Sequence, residues 1–338
     1  MLKVAAFTGG LNVPSARFRI RQHIKALKSE GVNITEFTAS LGIYPPHIQS
    51  LRPLWGAATL ATRIPSVIRS YRYDLTFLQR EMLSTFMTLE SWTKQPRVLD
   101  VDDAIWLHRN GGFAKKIASS CQAIICGNAF LAEHFSSWNN NVIIIPTAVD
   151  TDKYIPSYST DNHIIGWSGT SGGFKYLYAI EPALNLVLKK KPETKLRIVS
   201  DLKPSFKKIP DSNIEFICWT PENEVTAIQG MSIGIMPLED SLWERGKCSF
   251  KMLTYMACGI PVVVSPVGMN TEVLSHGNIG LGVKTLDDWA DALLMLLANA
   301  EQRKKIGSNG RLVILNKYSV HTVAPQLAAT LLQIVKTY

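Results

Sequence analysis

Along most of the chain, short β-branched and apolar runs alternate with longer stretches whose apolar residues recur every three or four positions. The runs at 4–8, 32–37, 74–79, 97–101, 123–126 and 142–145 read as strands, as do those at 164–167, 196–199, 214–218, 232–236 and 262–264. Helical spacing covers 16–29, 54–71, 129–136, 175–189, 287–299 and 325–337, and Ser15 reads as an N-cap. Strands that alternate with helices in this way predict buried parallel sheets, an α/β fold. The turn-rich stretch 146–160 breaks the period, and the pattern restarts at 164. The chain therefore divides into domains at 1–155 and 156–320, with a last helix at 321–338 that packs back on the first domain.

The most informative stretch runs from Glu244 to Val264 and reads as loop, helix, tight turn and buried strand. Gly246 lies between Arg245 and Lys247, Phe250, Leu253 and Ala257 are spaced to face a core, Cys258-Gly259 ends the helix and Pro261 forbids its continuation. A helix N-terminus beside a glycine and two cations suits a phosphate, because N–H groups, the positive dipole end and the cations converge there. The same features also fit an ordinary αβ unit with a solvated loop. Glycine turns follow two first strands: Gly9-Gly10, and Ser168-Gly-Thr-Ser-Gly-Gly173. Open α/β sheets bind ligands at such strand ends. The first turn lacks GxGxxG, so it is no nicotinamide fingerprint.

At 338 residues, 46% hydrophobic and 19% charged, the chain is globular in composition. The opening residues 1–7 read as a first strand rather than a secretory leader, and no run approaches the roughly 18–20 apolar residues of a membrane span. Five cysteines without metal-ligand spacing read as reduced thiols. The net charge of +9 is uneven: residues 1–80 hold eleven Lys and Arg against Glu30, Glu36 and Asp74, so +8 sits there. A one-sided basic surface points to an anionic partner, and the absence of any nucleic-acid motif excludes that class. The 54–71 segment reads as an amphipathic helix with Trp55, Leu60, Ile64 and Ile68 on one side and Arg63, Arg69 and Arg72 elsewhere. It fits either a core-facing helix with a wet basic side or a helix resting on an anionic membrane.

The strand at 97–101 runs into Asp100-Val-Asp-Asp103. Carboxylates at a strand end have three readings: a substrate contact or base, a capped turn, or a divalent-metal site. Substrate contact ranks first, and metal last because no further acidic ligand set is evident.

Lys251-Met-Leu-Thr-Tyr-Met-Ala-Cys-Gly-Ile-Pro-Val-Val-Val264 and Gly268-Met-Asn-Thr-Glu272, taken with Gly9-Gly10, resemble the GT-B glycosyltransferases, most of all the large retaining family 4. Val13–Arg19 and Asp100–Trp106 resemble its bacterial polysaccharide-synthesis branch. The resemblance implies two facing Rossmann-like domains, an interdomain cleft, a nucleoside-diphosphate sugar as co-substrate, no other cofactor and no metal. It implies a glycan acceptor, lipid-linked, and work in the cytoplasm or at the inner face of the cell membrane. Donor contacts would come from Gly9, Gly10, Ser168, Gly169, Trp219, Thr220, Glu244, Gly246, Cys248, Ser249, Phe250, Lys251 and Thr254. Arg245 and Lys247 would neutralise the departing diphosphate, and Asp103 or Asp102 would be the base of an inverting reaction. Arg17, Arg19, Arg63 and Arg69 would face the acceptor or the membrane. The family's Glu-x7-Glu pair is here Gly246 and Thr254, with Glu244 as a stand-in for the first and Thr254 as a weaker ribose contact. An impaired scaffold of the same fold, a sugar-nucleotide epimerase and a solute-binding protein remain alternatives.

Overall fold

The computed structural model describes residues 1–11, 13–157 and 163–338, so 158–160 of the turn-rich stretch lie outside the described residues. The chain forms two compact units. The first comprises Met1–Ala148, Arg245–Cys248 and Val320–Tyr338; the second comprises Val149–Glu244 and Ser249–Ser319.

In the first unit, β1 (Leu2–Thr8), β2 (Val32–Thr38), β3 (Leu75–Gln79), β4 (Arg97–Val101), β5 (Ala123–Cys126) and β6 (Val142–Ile144) form a parallel sheet in the order β2-β1-β3-β4-β5-β6. Every residue of β3, β4 and β5 is buried, as strands covered on both faces require. One core joins Val4, Phe77, Val98 and Ile125 to Leu27 and to Val323, Leu327 and Leu331 of the helix Val320–Thr337.

In the second unit, β7 (Ile164–Ser168), β8 (Lys195–Ser200), β9 (Ile214–Cys218), β10 (Ile233–Met236), β11 (Val262–Val264) and β12 (Gly280–Gly282) take the order β12-β11-β10-β7-β8-β9. Trp167, Leu184, Ile198, Ile235, Trp289 and Leu293 share its core. The order is that of a doubly wound nucleotide-binding sheet, and it reverses between β7 and β10. Two parallel six-stranded sheets make the fold GT-B.

Several elements differ from expectation. The 16–29 helix is wound unevenly, as a π-helical turn at Ala16–Ile20, a 3-10 turn at Arg21–His23 and an α-helix at Ile24–Ser29. It starts at Pro14, so Ser15 lies inside it and its side chain caps nothing. The 175–189 helix is two, Phe174–Ala179 and Glu181–Lys190. The last helix begins at Val320 and carries Pro325 inside. The helix Arg52–Ser70 buries Thr59, Arg63, Val67 and Ser70, whereas Ile64 and Ile68 are exposed. Its buried side is therefore not the predicted stripe.

Candidate active site

In the second unit, the loops after β7 and β10 flank the point where strand order reverses, the place where such sheets bind ligands. The loop after β7 is pinned. Ser168 N donates to the Tyr255 hydroxyl at 2.7 Å, and Ser171 donates from N and Oγ to Asp201 at 2.6 and 2.9 Å. Gly169 is needed there, because a Cβ would fall 2.5 Å from Lys251 Cε and 2.8 Å from the Trp167 ring. Lys251 Nζ in turn lies 5.7 Å from the centre of a Trp167 ring.

The helix Phe250–Ala257 ends in a Schellman motif. Gly259 is left-handed at φ 73°, Gly259 N donates to Met256 O and Ile260 N donates to Tyr255 O. Its other end is unusual. Ser249, at the cap position, is itself left-handed at φ 51° and does not cap the helix. Its hydroxyl donates instead to Asn270 Oδ1 at 2.7 Å, and Asn270 Nδ2 donates to Ser265 O at 2.9 Å. A non-glycine residue held in this region marks a conformation imposed by its surroundings. The result is a helix N-terminus without a side-chain cap, beside Lys251, at the carboxyl ends of the strands.

After β10 the expected loop contains a short helix, Leu242–Arg245. Glu244 is buried, and the hydroxyls of Tyr176 and Ser241 donate to its two oxygens. Burial pushes its carboxyl up, but these hydrogen bonds outweigh that and hold it below the ordinary value. Glu244 therefore organises its own loop rather than standing in for the family's sugar-binding glutamate. Thr254 is buried, and its hydroxyl donates to Lys251 O, one turn back, so it offers the ribose no donor. Trp219 and Thr220 follow β9, two strands from β7, where Thr220 N donates to Asn223 Oδ1 at 2.9 Å. A cavity of about 290 Å³ opens beside the ends of β10 and β11, lined by Lys175, Tyr176, Glu239, Ser265 and Trp289 among others.

In the first unit, the strand-order reversal lies between β1 and β3. Gly9 and Gly10 follow β1, where a Cβ on Gly9 would fall 2.9 Å from Ile43 and Gly10 takes φ 143°. Arg80 and Glu81 follow β3. Arg80 Nη1 donates to Asp103 Oδ2 at 3.0 Å. Around them, among the described residues, Gln79 Nε2 and Asp102 Oδ1 are buried without a hydrogen-bond partner, and Arg80 Nε and Glu81 Oε2 face each other as an ion pair at 3.8 Å. Asp103 is held up at about 6 by burial and by the Asp102 carboxylate, against the opposing pull of Arg80 and Lys247.

Asp100 belongs elsewhere. It receives Arg19 Nε at 3.0 and 3.1 Å and Arg19 Nη2 as well, with both residues buried. Arg19 also donates to Ile145 O at 2.9 Å. Arg63 is likewise buried, and donates to Thr8 O and Phe37 O. Arg19 and Arg63 are thus structural cations inside the unit and face neither acceptor nor membrane, while Arg69 is exposed and Arg17 half-buried. Asp100, the first carboxylate of the Asp-x-Asp pair, is therefore held by a guanidinium.

The 245–248 segment packs on the Asp102–Ala104 turn of the same unit. A Cβ on Gly246 would lie 2.8 Å from both Ala104 N and Ala104 Cβ. This position, a glutamate in the resembled family, can hold only glycine here. Cys248 is buried and lies 3.3 Å from Asp102 O, in space that Gly127 leaves open. Asn128 was not singled out by sequence reasoning. Its Oδ1 caps the helix Ala129–Phe135 by accepting from Leu131 N at 2.9 Å. Its amide group donates to Arg245 O, Gly246 O and Lys247 O at 3.1–3.3 Å. An asparagine before a helix signals the cap, but nothing local signals the second task. Arg80, Glu81, Asn270 and Tyr255 were also missed; the charged pair closing the apolar strand 75–79 was the available clue.

Comparison with known proteins fits this geometry. The family description "Glycosyl transferases group 1" matches residues 165–299. The matched residues begin in β7 and run through β12 to the end of the 286–298 helix. No curated protein matches the chain by sequence. Among solved structures, the chain is similar to a sucrose-phosphate synthase from Thermosynechococcus elongatus, at 15% identity, 100% coverage of both chains and TM-score 0.74. It is similar to HepE from Anabaena, solved with UDP and glucose, at 14% identity, 98% and 99% coverage and TM-score 0.70. A glycosyltransferase from Rickettsia africae gives 15% identity, 100% and 99% coverage and TM-score 0.70. The matched span thus contains β8 to β11, the Ser168 loop and the helix whose N-terminus lacks a side-chain cap.

Proposed function

We propose that the protein is a glycosyltransferase that moves a sugar from a nucleoside-diphosphate sugar to a lipid-linked glycan during bacterial surface polysaccharide synthesis, on the cytoplasmic side of the cell membrane. The observation that carries this reading is the side-chain-uncapped N-terminus of the 250–257 helix at the strand-order reversal of a group 1 domain, beside Lys251 and the pinned glycine loop. Aligned N–H groups and cations there meet the charge that grows on the leaving diphosphate, the place where fixed dipoles count most. HepE, solved with UDP and glucose, makes UDP-glucose the first donor to try. In this reading the reaction needs no metal, and transfer proceeds with retention, the departing diphosphate taking the acceptor proton.

One observation favours inversion instead. A carboxyl held at about 6, as in Asp103, is matched to general-base work near neutral pH. The anomeric configuration of the product, read by NMR, decides between the two. Calorimetry against UDP-, GDP- and TDP-sugars tests the reading as a whole. Binding with turnover in EDTA supports it, binding without turnover marks an inactive scaffold, and no binding to any of them refutes it.

A further inference from the structure

The helix Arg52–Ser70 is folded with polar residues inward and an apolar stripe outward. Thr59, Arg63, Val67 and Ser70 are inside. The outward stripe carries Leu54, Ala57, Ala61, Ile64, Pro65 and Ile68, all exposed, with Leu54, Ile64 and Ile68 at 72%, 44% and 66%. At 3.6 residues per turn these positions fall on one side. Ile48, Leu51 and Tyr71, near its ends, are exposed too. No Asp or Glu occurs from residue 37 to residue 73. Beyond the helix's C-terminal end, Lys3, Arg69 and Arg72 surround a shallow cavity of about 260 Å³ with Asn33, Thr35 and Tyr73. Among the described residues no carboxylate pairs with the Arg69 or Arg72 guanidinium or the Lys3 ammonium; Asp74 accepts from the Lys3 backbone N–H.

We propose that this face docks on an anionic lipid bilayer. Leu54, Ile64 and Ile68 enter the interfacial zone with the helix lying flat, and Arg69, Arg72 and Lys3 meet lipid phosphates. Contiguous exposed apolar residues call for a partner, and the acid-free cationic surround selects an anionic one. A second copy of the chain would set like charges against each other. The inference does not depend on the proposed reaction.

Flotation of the full chain with phosphatidylcholine vesicles, with and without phosphatidylglycerol, tests it. Binding is expected only with phosphatidylglycerol and is expected to weaken with salt. Ile64→Asp with Ile68→Asp, and separately Arg69→Glu with Arg72→Glu, should each lower partitioning by about tenfold or more, since each surface cation contributes roughly fivefold. Both variants sit on exposed positions and should keep the circular dichroism spectrum and nucleotide affinity of the parent. Equal binding to neutral vesicles, no binding, or unaffected variants would overturn the proposal. So would a dimer in sedimentation that Ile68→Asp dissolves, which would give the face to a second copy. Transfer to a soluble acceptor would be untouched by any of these outcomes.

Discussion

Asp100, Asp102 and Asp103 follow one another at a strand end, and their neighbours give them different work. Asp100 and Arg19 form a buried, multiply hydrogen-bonded pair, and removing one partner strands the other charge. Asp100→Ala should therefore cost about 3–5 kcal/mol in urea unfolding. Asp103→Asn should remove the pH dependence of stability that Asp103 contributes and, if Asp103 is the base, lower kcat by about 10²–10⁴. Because Asp103 titrates near 6, a base there is ionised above that pH, and kcat/KM should fall as pH drops through it. Lys247→Ala removes a cation that favours the ionised form, so the midpoint should move up; an unmoved profile would exclude Asp103 as the base. The same shift means the folded state holds the proton more tightly than the unfolded chain. Asp103's contribution to stability therefore declines as pH rises from about 4 to about 6. The sequence offered Asp103 as a candidate base but not the pairing of Asp100, because Arg19 lies 81 residues away and burial of a charge is set by such distant partners.

At the scale of elements, patterns that local chemistry dictates were readable. Eleven strands announced themselves through β-branched runs, and Cys258-Gly259 correctly ended its helix. The twelfth, Gly280–Gly282, has no such run and takes its conformation from pairing with β11. The Arg52–Ser70 helix was legible as a helix, but its buried side was not, since hydrogen bonds from Arg63 to distant carbonyls set it. Glycine at 246 reads as a departure from a family motif, and only the packing explains it. Gly246→Ala should destabilise the first unit by roughly 1–3 kcal/mol through overpacking against Ala104, and glutamate should do more harm. Ser249→Ala leaves the buried Asn270 Oδ1 without its donor. It should cost about 1–3 kcal/mol and weaken nucleotide affinity in calorimetry, because the turn that exposes the helix N-terminus loosens.

At the scale of the whole molecule, the basic bias of residues 1–80 divides in two. Arg19 and Arg63 are internal, whereas Arg52, Arg69 and Arg72 remain outside. The first unit also depends on a remote segment. Val320, Val323, Leu327, Leu331 and Ile334 are buried in its core. At roughly 1.5–3 kcal/mol each, their burial is comparable with the whole stability of a domain. A chain ending at 319 should therefore lose protection from hydrogen exchange in β1–β5 while β7–β11 stay protected.

That dependence has a consequence for synthesis. A ribosome delivers 1–148 first, yet the hydrophobic surface awaiting the 320–338 helix stays uncovered until the 149–319 span has been made. The second unit, nearly continuous in the chain, can finish folding earlier, while the first waits with Leu27 and Val32 exposed to chaperones and to aggregation. The first unit opens with β1 and is completed only once the 320–338 helix has been made.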